Sequence, residues 1–155
     1  MKKLLPILFV LIITSCSDPK LTTSDKLVER NGIVFFENST TPFTGEIVDY
    51  YNPVMLKMTG SFVDGIKEGK WDTSHLTGYD TDNGNLKTTG NFVGGIKEGK
   101  WDTYDDKGNL IMTGSFVDGK KEGQWDIFFK NPRSGNPTKE YEEHYTSGER
   151  NGKFI

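Results

Sequence analysis

TGSFVDGIKEGKWDT is the sequence of residues 59–73, and the chain repeats it twice with few changes. Residues 89–103 read TGNFVGGIKEGKWDT, and residues 113–127 read TGSFVDGKKEGQWDI. A weaker fourth copy, YTSGERNGKF, lies at residues 145–154. Self-similarity with a period of about 20–50 residues is typical of repeat architectures. The sequence therefore predicts a fold built from stacked copies of one small unit.

Each copy contains a two-residue turn signal flanked by alternating residues: Asp64-Gly65, Gly94-Gly95, Asp118-Gly119 and Ser147-Gly148. Such pairs accept the positive φ of tight hairpin turns, so each copy predicts a β-hairpin. Counting outward from the first turn predicts four pairs: Val63 with Ile66, Phe62 with Lys67, Gly60 with Gly69, and Met58 with Trp71. The predicted fold class is all-β, an antiparallel meander of stacked hairpins forming a single curved sheet.

One face of this sheet is predicted to carry the large side chains in rows. The row nearest the turns alternates rings and cations: Phe62, Lys67, Phe92, Lys97, Phe116, Lys121, Tyr145 and Arg150. A glycine row follows, and behind it lie Trp71, Trp101 and Trp125. Glycine weakens strands, so a whole row of it predicts a trough that makes room for the rings. The opposite face is polar and is expected to meet water, including Glu68, Glu98 and Glu122.

The first residues are typical of an export signal. Lys2 and Lys3 precede an apolar run that is too short to span a bilayer as a stable helix. Ile13-Thr14-Ser15-Cys16 resembles the lipobox of bacterial lipoproteins. The resemblance implies cleavage before Cys16, lipidation of its sulfur and anchoring in the membrane, with Ser17 favouring the outer membrane. An ordinary secretory peptide that contains a cysteine is the alternative.

These features predict three segments: a signal peptide over residues 1–15, a flexible tether over 16–29, and a repeat domain over 30–155. Removing the signal peptide takes the formal charge from −3 to −5, because Lys2 and Lys3 leave with it. A net acidic chain is a poor candidate for binding nucleic acid, so none is expected as a partner.

The pattern Phe-x-x-Gly-x-Lys-x-Gly-x-Trp, as in residues 62–71 and 92–101, resembles the bacterial variant of the MORN repeat. NGIVF at residues 31–35 and PFTG at residues 42–45 strengthen the likeness, which covers about residues 30–155. Proteins of this type are commonly labelled YwqK-type antitoxin components. The resemblance implies a β-hairpin repeat fold. It does not carry an activity, because one fold hosts many functions.

The sequence offers no recognisable catalytic group, and we expect no enzyme, cofactor or metal site. Cys16 is the only cysteine, and neither His75 nor His144 lies in a catalytic motif. We expect His75 to be a solvated loop residue and His144 to lie on the wet face. The run of acidic and amide residues at 80–83 fails the EF-hand pattern, since glycine and glutamate are missing at the required positions.

The prediction for function is a non-catalytic, lipid-anchored envelope protein that binds a protein partner through its repeat sheet. The candidate binding residues are Phe62, Lys67, Trp71, Phe92, Lys97, Trp101, Phe116, Lys121, Trp125 and Arg150. For the lysines, the competing interpretation is structural, with each stem packed on a neighbouring ring. An immunity or antitoxin-like role is the alternative function, and an envelope hydrolase ranks third.

Overall fold

The computed structural model describes residues 22–53, 55–75, 85–130 and 137–151. Residues 1–15, Cys16 and the run at 80–83 lie outside the described residues. Among the described residues, a short 3₁₀ turn, Ser24–Lys26, precedes eleven strands. These are β1 (Leu27–Arg30), β2 (Ile33–Phe36), β3 (Gly45–Asn52), β4 (Met55–Val63), β5 (Ile66–Ser74), β6 (Leu86–Val93), β7 (Ile96–Tyr104), β8 (Leu110–Val117), β9 (Lys120–Lys130), β10 (Pro137–Thr146) and β11 (Glu149–Asn151).

The predicted all-β antiparallel meander is confirmed. Strands β3 to β11 form one nine-stranded sheet in which each strand pairs with its neighbours in sequence. A separate two-stranded sheet, β1 with β2, accompanies it. Because consecutive strands are adjacent, every hairpin contacts mainly the hairpins before and after it, as expected of a repeat array.

The predicted turns lie at the hairpin tips. Asp64 and Gly65 have φ of 49° and 77°, and Asp118 and Gly119 have φ of 49° and 75°. Two successive positive φ values are the geometry of a type I′ turn, whose twist suits a two-residue hairpin. Asn31-Gly32 has the same geometry and joins β1 to β2. That first hairpin was not predicted, although Asn-Gly is a strong hairpin signal.

The predicted register is confirmed next to the turn and wrong further away. Val63 pairs with Ile66 and Phe62 with Lys67, as expected. Beyond them, β5 places residues 69–71 against the single residue Gly60, so Met58 pairs with Thr73 and not with Trp71. Gly69 sits at this bulge with φ of 68°. Glycine reaches this left-handed conformation without the steric penalty of a Cβ, which suits it to a β-bulge.

The bulge recurs in every strong copy. Gly99 and Gly123 occupy the same position, with φ of 66° and 67°. The glycine row predicted from the sequence is therefore two different sets. One set, Gly69, Gly99 and Gly123, forms the bulges; the other, Gly60, Gly90 and Gly114, lies in regular strand.

The fold begins upstream of the domain boundary suggested by the sequence. Thr22 is buried and bridges to Ile47 on the outer edge of β3, where its amide donates to the Glu46 carbonyl. Residues 27–30 form β1, within the segment expected to be a tether. The folded segment thus includes residues 22–29 as well as those from residue 30 on.

The segment before β4 is a modified first repeat. The Gly65 amide donates to the Phe43 carbonyl, just as the Gly95 amide donates to the Lys67 carbonyl in the next hairpin. Ile47 pairs with Gly60, just as Trp71 pairs with Gly90. Phenylalanine and isoleucine therefore replace the lysine and tryptophan of the later copies. Apolar residues suit this end because the β1–β2 hairpin packs over it, with Leu27, Val34 and Phe36 against the core cluster.

Candidate binding surface

The rings of the predicted rows form one continuous ladder along the sheet. Its members in order are Phe36, Phe43, Phe62, Trp71, Phe92, Trp101, Phe116, Trp125 and Tyr145. Neighbouring ring centroids are 4.9 to 6.3 Å apart, and all eight contacts are edge-to-face. Such pairs are worth about 0.5–1.5 kcal/mol each beyond simple burial. The ladder supplies the core of the nine-stranded sheet, which forms a single layer along the ladder.

Each tryptophan of the ladder lies flat over a glycine of its own hairpin. Trp71 is only 3% exposed, and the position that a Cβ would take on Gly60 lies 2.2 Å from the Trp71 ring. Trp101 covers Gly90 and Trp125 covers Gly114 in the same way. The structure confirms that glycines make room for the rings. The rings lie over the glycines in regular strand, Gly60, Gly90 and Gly114, and not over those that form the bulges.

The lysines of the row lie on top of these rings. Lys67 Nζ is 4.6 Å from the Trp71 centroid and 5.1 Å from that of Phe92. Lys97 bridges Trp101 and Phe116 at 4.2 and 5.0 Å, and Lys121 bridges Trp125 and Tyr145 at 4.2 and 4.7 Å. Each cation thus links one hairpin to the next, which is the structural role weighed in the sequence analysis. The tryptophans are buried inside the ladder, so the half-buried lysines supply the charged groups of this face.

Lys67, Lys97 and Lys121 have no carboxylate within 4.0 Å among the residues that the structure describes. On the opposite face, Lys70 and Lys100 each pair with an aspartate at 3.0 Å. Burial and the charge of Lys67 lower the pKa of Lys97. In the described part of the chain, the ring face therefore carries three lysines without a direct ion pair, although the charge of Lys121 helps to lower the pKa of Glu143. On the other face, Lys70 and Lys100 are directly paired.

The glutamates expected to face water have a structural role that the sequence analysis missed. Glu68 Oε2 accepts a hydrogen bond from the Gly94 amide in the turn of the next hairpin, at 2.8 Å. Glu98 accepts from the Asp118 amide at 3.0 Å, and Glu122 from the Ser147 amide at 2.7 Å. Each glutamate thus fastens its hairpin to the following turn.

The ladder ends at a polar cluster near the last turn. Glu143 pairs with Trp125 and so takes the position held by Gly90 and Gly114 in earlier copies. Its carboxylate accepts hydrogen bonds from the Tyr145 hydroxyl at 2.7 Å and from Arg150 at 2.6 Å. The Tyr145 bond and the Arg150 partner lower the pKa of Glu143. Arg150, the last cation of the predicted row, is therefore ion-paired.

The two histidines differ in their surroundings. His75 is not a solvated loop residue as predicted: its Nε2 lies 2.8 Å from the Tyr104 carbonyl, and the residue is partly buried. His144 is exposed, in agreement with its predicted place on the wet face. Within the described ranges, no group of three or more His, Cys, Asp or Glu side chains is placed to hold a metal ion.

Exposed aliphatic side chains beside the turns are a further feature that sequence reasoning missed. Val63, Val93, Ile96 and Val117 are between 47% and 56% exposed. They adjoin the turns and point away from the ring face, because side chains alternate along a strand. The alternation Phe-Val before each turn carried this signal in the sequence.

No protein-family model matches this chain, and neither a curated protein nor a solved structure matches it. The likeness to MORN repeats consequently stays a prediction from the motif. In the part of the chain that the structure describes, no helix has the length and apolar character needed to cross a membrane.

Proposed function

We propose that this chain is a non-catalytic, lipid-anchored protein of the bacterial cell envelope whose repeat sheet binds another protein. Anchoring rests on the Cys16 motif in the sequence. Binding rests on the repeat sheet, which presents the same surface chemistry once per hairpin. With strands about 4.8 Å apart, equivalent residues of successive hairpins recur about every 10 Å.

The single observation that carries the proposal is the row formed by Lys67, Lys97 and Lys121. Each lysine Nζ lies over a tryptophan ring of the ladder, and no described carboxylate forms an ion pair with it. An acidic partner surface would compensate both effects that lower the pKa of Lys97, which are burial first and the charge of Lys67 second. Preplaced charge favours specific and rapid association.

The test is affinity capture from solubilised host membranes with the full-length chain, followed by quantitative mass spectrometry. The test variant is Lys67→Gln, Lys97→Gln, Lys121→Gln, and the matched control is Lys70→Gln, Lys100→Gln on the opposite face. We expect the test variant to recover its partner at least about tenfold less well. That factor corresponds to a loss of about 1.4 kcal/mol in binding free energy, summed over the three lysines. The control should retain the partner.

Equal recovery by both variants would overturn the assignment of the binding surface. Thermal melting of both variants separates lost binding from lost folding, because the three test lysines also contact rings.

A further inference from the structure

A partly open groove lies where the β1–β2 hairpin packs over the first repeat, and its volume is about 250 Å³. Leu27 and Val34 line it from the hairpin, and Ile47 and Met58 line it from the sheet. Ile47 occupies the position filled by tryptophan in later copies. The smaller side chain leaves room between hairpin and sheet that an indole ring would fill.

Three polar residues also line this groove: Ser24, Glu29 and Lys67. Lys67 Nζ lies 4.6 Å above the ring of Trp71, which is itself part of the lining. No described carboxylate lies within 4.0 Å of that ammonium group. Glu29 is exposed and supplies the one negative charge of the lining.

We propose that this groove binds a short aliphatic monocarboxylate. The carboxylate group is held by Lys67, and the unbranched tail lies between the hairpin and the sheet. The Ser24 hydroxyl is already hydrogen-bonded to the Asp49 carboxylate, so Lys67 is the anion-binding group of the site. The volume is below the roughly 300–1,000 Å³ of pockets for drug-sized ligands, so the site takes one short chain. A second acidic group on the ligand would meet Glu29, so a single charge is preferred. This site shares Lys67 with the partner surface proposed above, but Lys97 and Lys121 of that surface lie outside the groove.

The probe is decanoic acid that carries a diazirine near its tail end, applied to the full-length protein in phosphatidylcholine nanodiscs. Photolabelling is followed by peptide mapping, with unlabelled decanoate and neutral decanol as competitors. We expect adducts on peptides that contain residues 24–34 or 47–71, displaced by decanoate far better than by decanol. Shortening the competitor by one methylene should weaken it about fourfold.

Two charge variants of opposite sign sharpen the test. Lys67→Gln should raise the half-saturating probe concentration about tenfold or more, because it removes a charge-assisted contact. Glu29→Gln should lower that concentration, by about twofold or more. Lys121→Gln is the matched control, since Lys121 contacts its rings as Lys67 does but lies outside the groove.

Adducts outside those peptides, equal effects of Lys67→Gln and Lys121→Gln, or equal competition by decanol would each overturn the proposal. The photolabelling readout needs no protein partner, and Lys97 and Lys121 contribute only to partner capture, so the two proposals can fail separately.

Discussion

Replacing Gly90 by alanine tests the packing of tryptophan over glycine. An alanine Cβ would lie 2.2 Å from two ring atoms of Trp101, whereas carbon atoms normally pack about 3.5–4.0 Å apart. The ring must move by about 1.5 Å, and such overpacking costs about 1–3 kcal/mol. Loss of a flexible glycine from the unfolded chain offsets about 0.4–1 kcal/mol. We expect a net loss of about 1–2 kcal/mol in the free energy of unfolding.

Gly99→Ala is the matched control, because alanine is unfavourable at this position for a different reason. No atom lies within 4 Å of its Cβ position, but its φ of 66° is in the left-handed region. Alanine there costs about 1–2 kcal/mol through backbone strain, less the same offset of about 0.4–1 kcal/mol from the unfolded chain. The two single substitutions therefore destabilise by similar amounts.

The Trp101→Leu background separates the two mechanisms. There the clash at Gly90 is relieved, so Gly90→Ala should become nearly neutral, while Gly99→Ala keeps its full cost. Urea unfolding followed by far-ultraviolet circular dichroism measures each variant. If Gly90→Ala costs as much in the leucine background as in the native chain, the ring does not set the requirement for glycine. The same test can be repeated at Gly114, where an added Cβ would lie 2.1 Å from the Trp125 ring.

Three further predictions concern the turn contacts, the polar end and the anchor. Glu98→Ala should cost about 1 kcal/mol and speed hydrogen exchange at the Asp118 amide, while the Gly94 amide, held by another glutamate, stays protected; equal exchange at both amides would contradict the role of Glu98. Hydrogen bonds from a tyrosine hydroxyl and an arginine lower the pKa of Glu143 below 4.5 in the folded chain. Its stabilisation is therefore present above pH 4.5 and lost as pH falls through the lower folded pKa, so Glu143→Gln should flatten the dependence of urea midpoint on pH in that acid range; an unchanged profile would argue against it. Cys16→Ser should abolish incorporation of labelled palmitate and move the chain out of the membrane fraction, and continued labelling would refute lipidation at this residue.

Local features of the sequence were enough to predict the hairpins. Asp64-Gly65 and its counterparts accept positive φ at both turn positions, so the turns fix the nearest pairs without help from the rest of the fold. The side chains of Phe62, Lys67 and Trp71 were correctly assigned to one face because alternation is also local. The polar and ring-bearing faces follow from the same rule.

The register away from the turns could not be counted from the sequence. Strict alternation assumes one residue opposite one residue, and Gly69 breaks that rule with a bulge. Glycine within a strand is itself a signal for a bulge. The sequence does not distinguish Gly69, which forms the bulge, from Gly60. Gly60 must be glycine for another reason, because the Trp71 ring leaves no room for a side chain there.

The number of strong repeats, the turns and the composition of each face follow from the sequence, because they depend on neighbours along the chain. Which neighbouring hairpin each side chain contacts depends on the tertiary structure. Lys67 reaches the ring of Phe92, Glu68 caps the turn at Gly94, and the first hairpin covers Ile47 to leave a groove. These contacts join residues of different strand pairs, and their partners are set by how the hairpins stack.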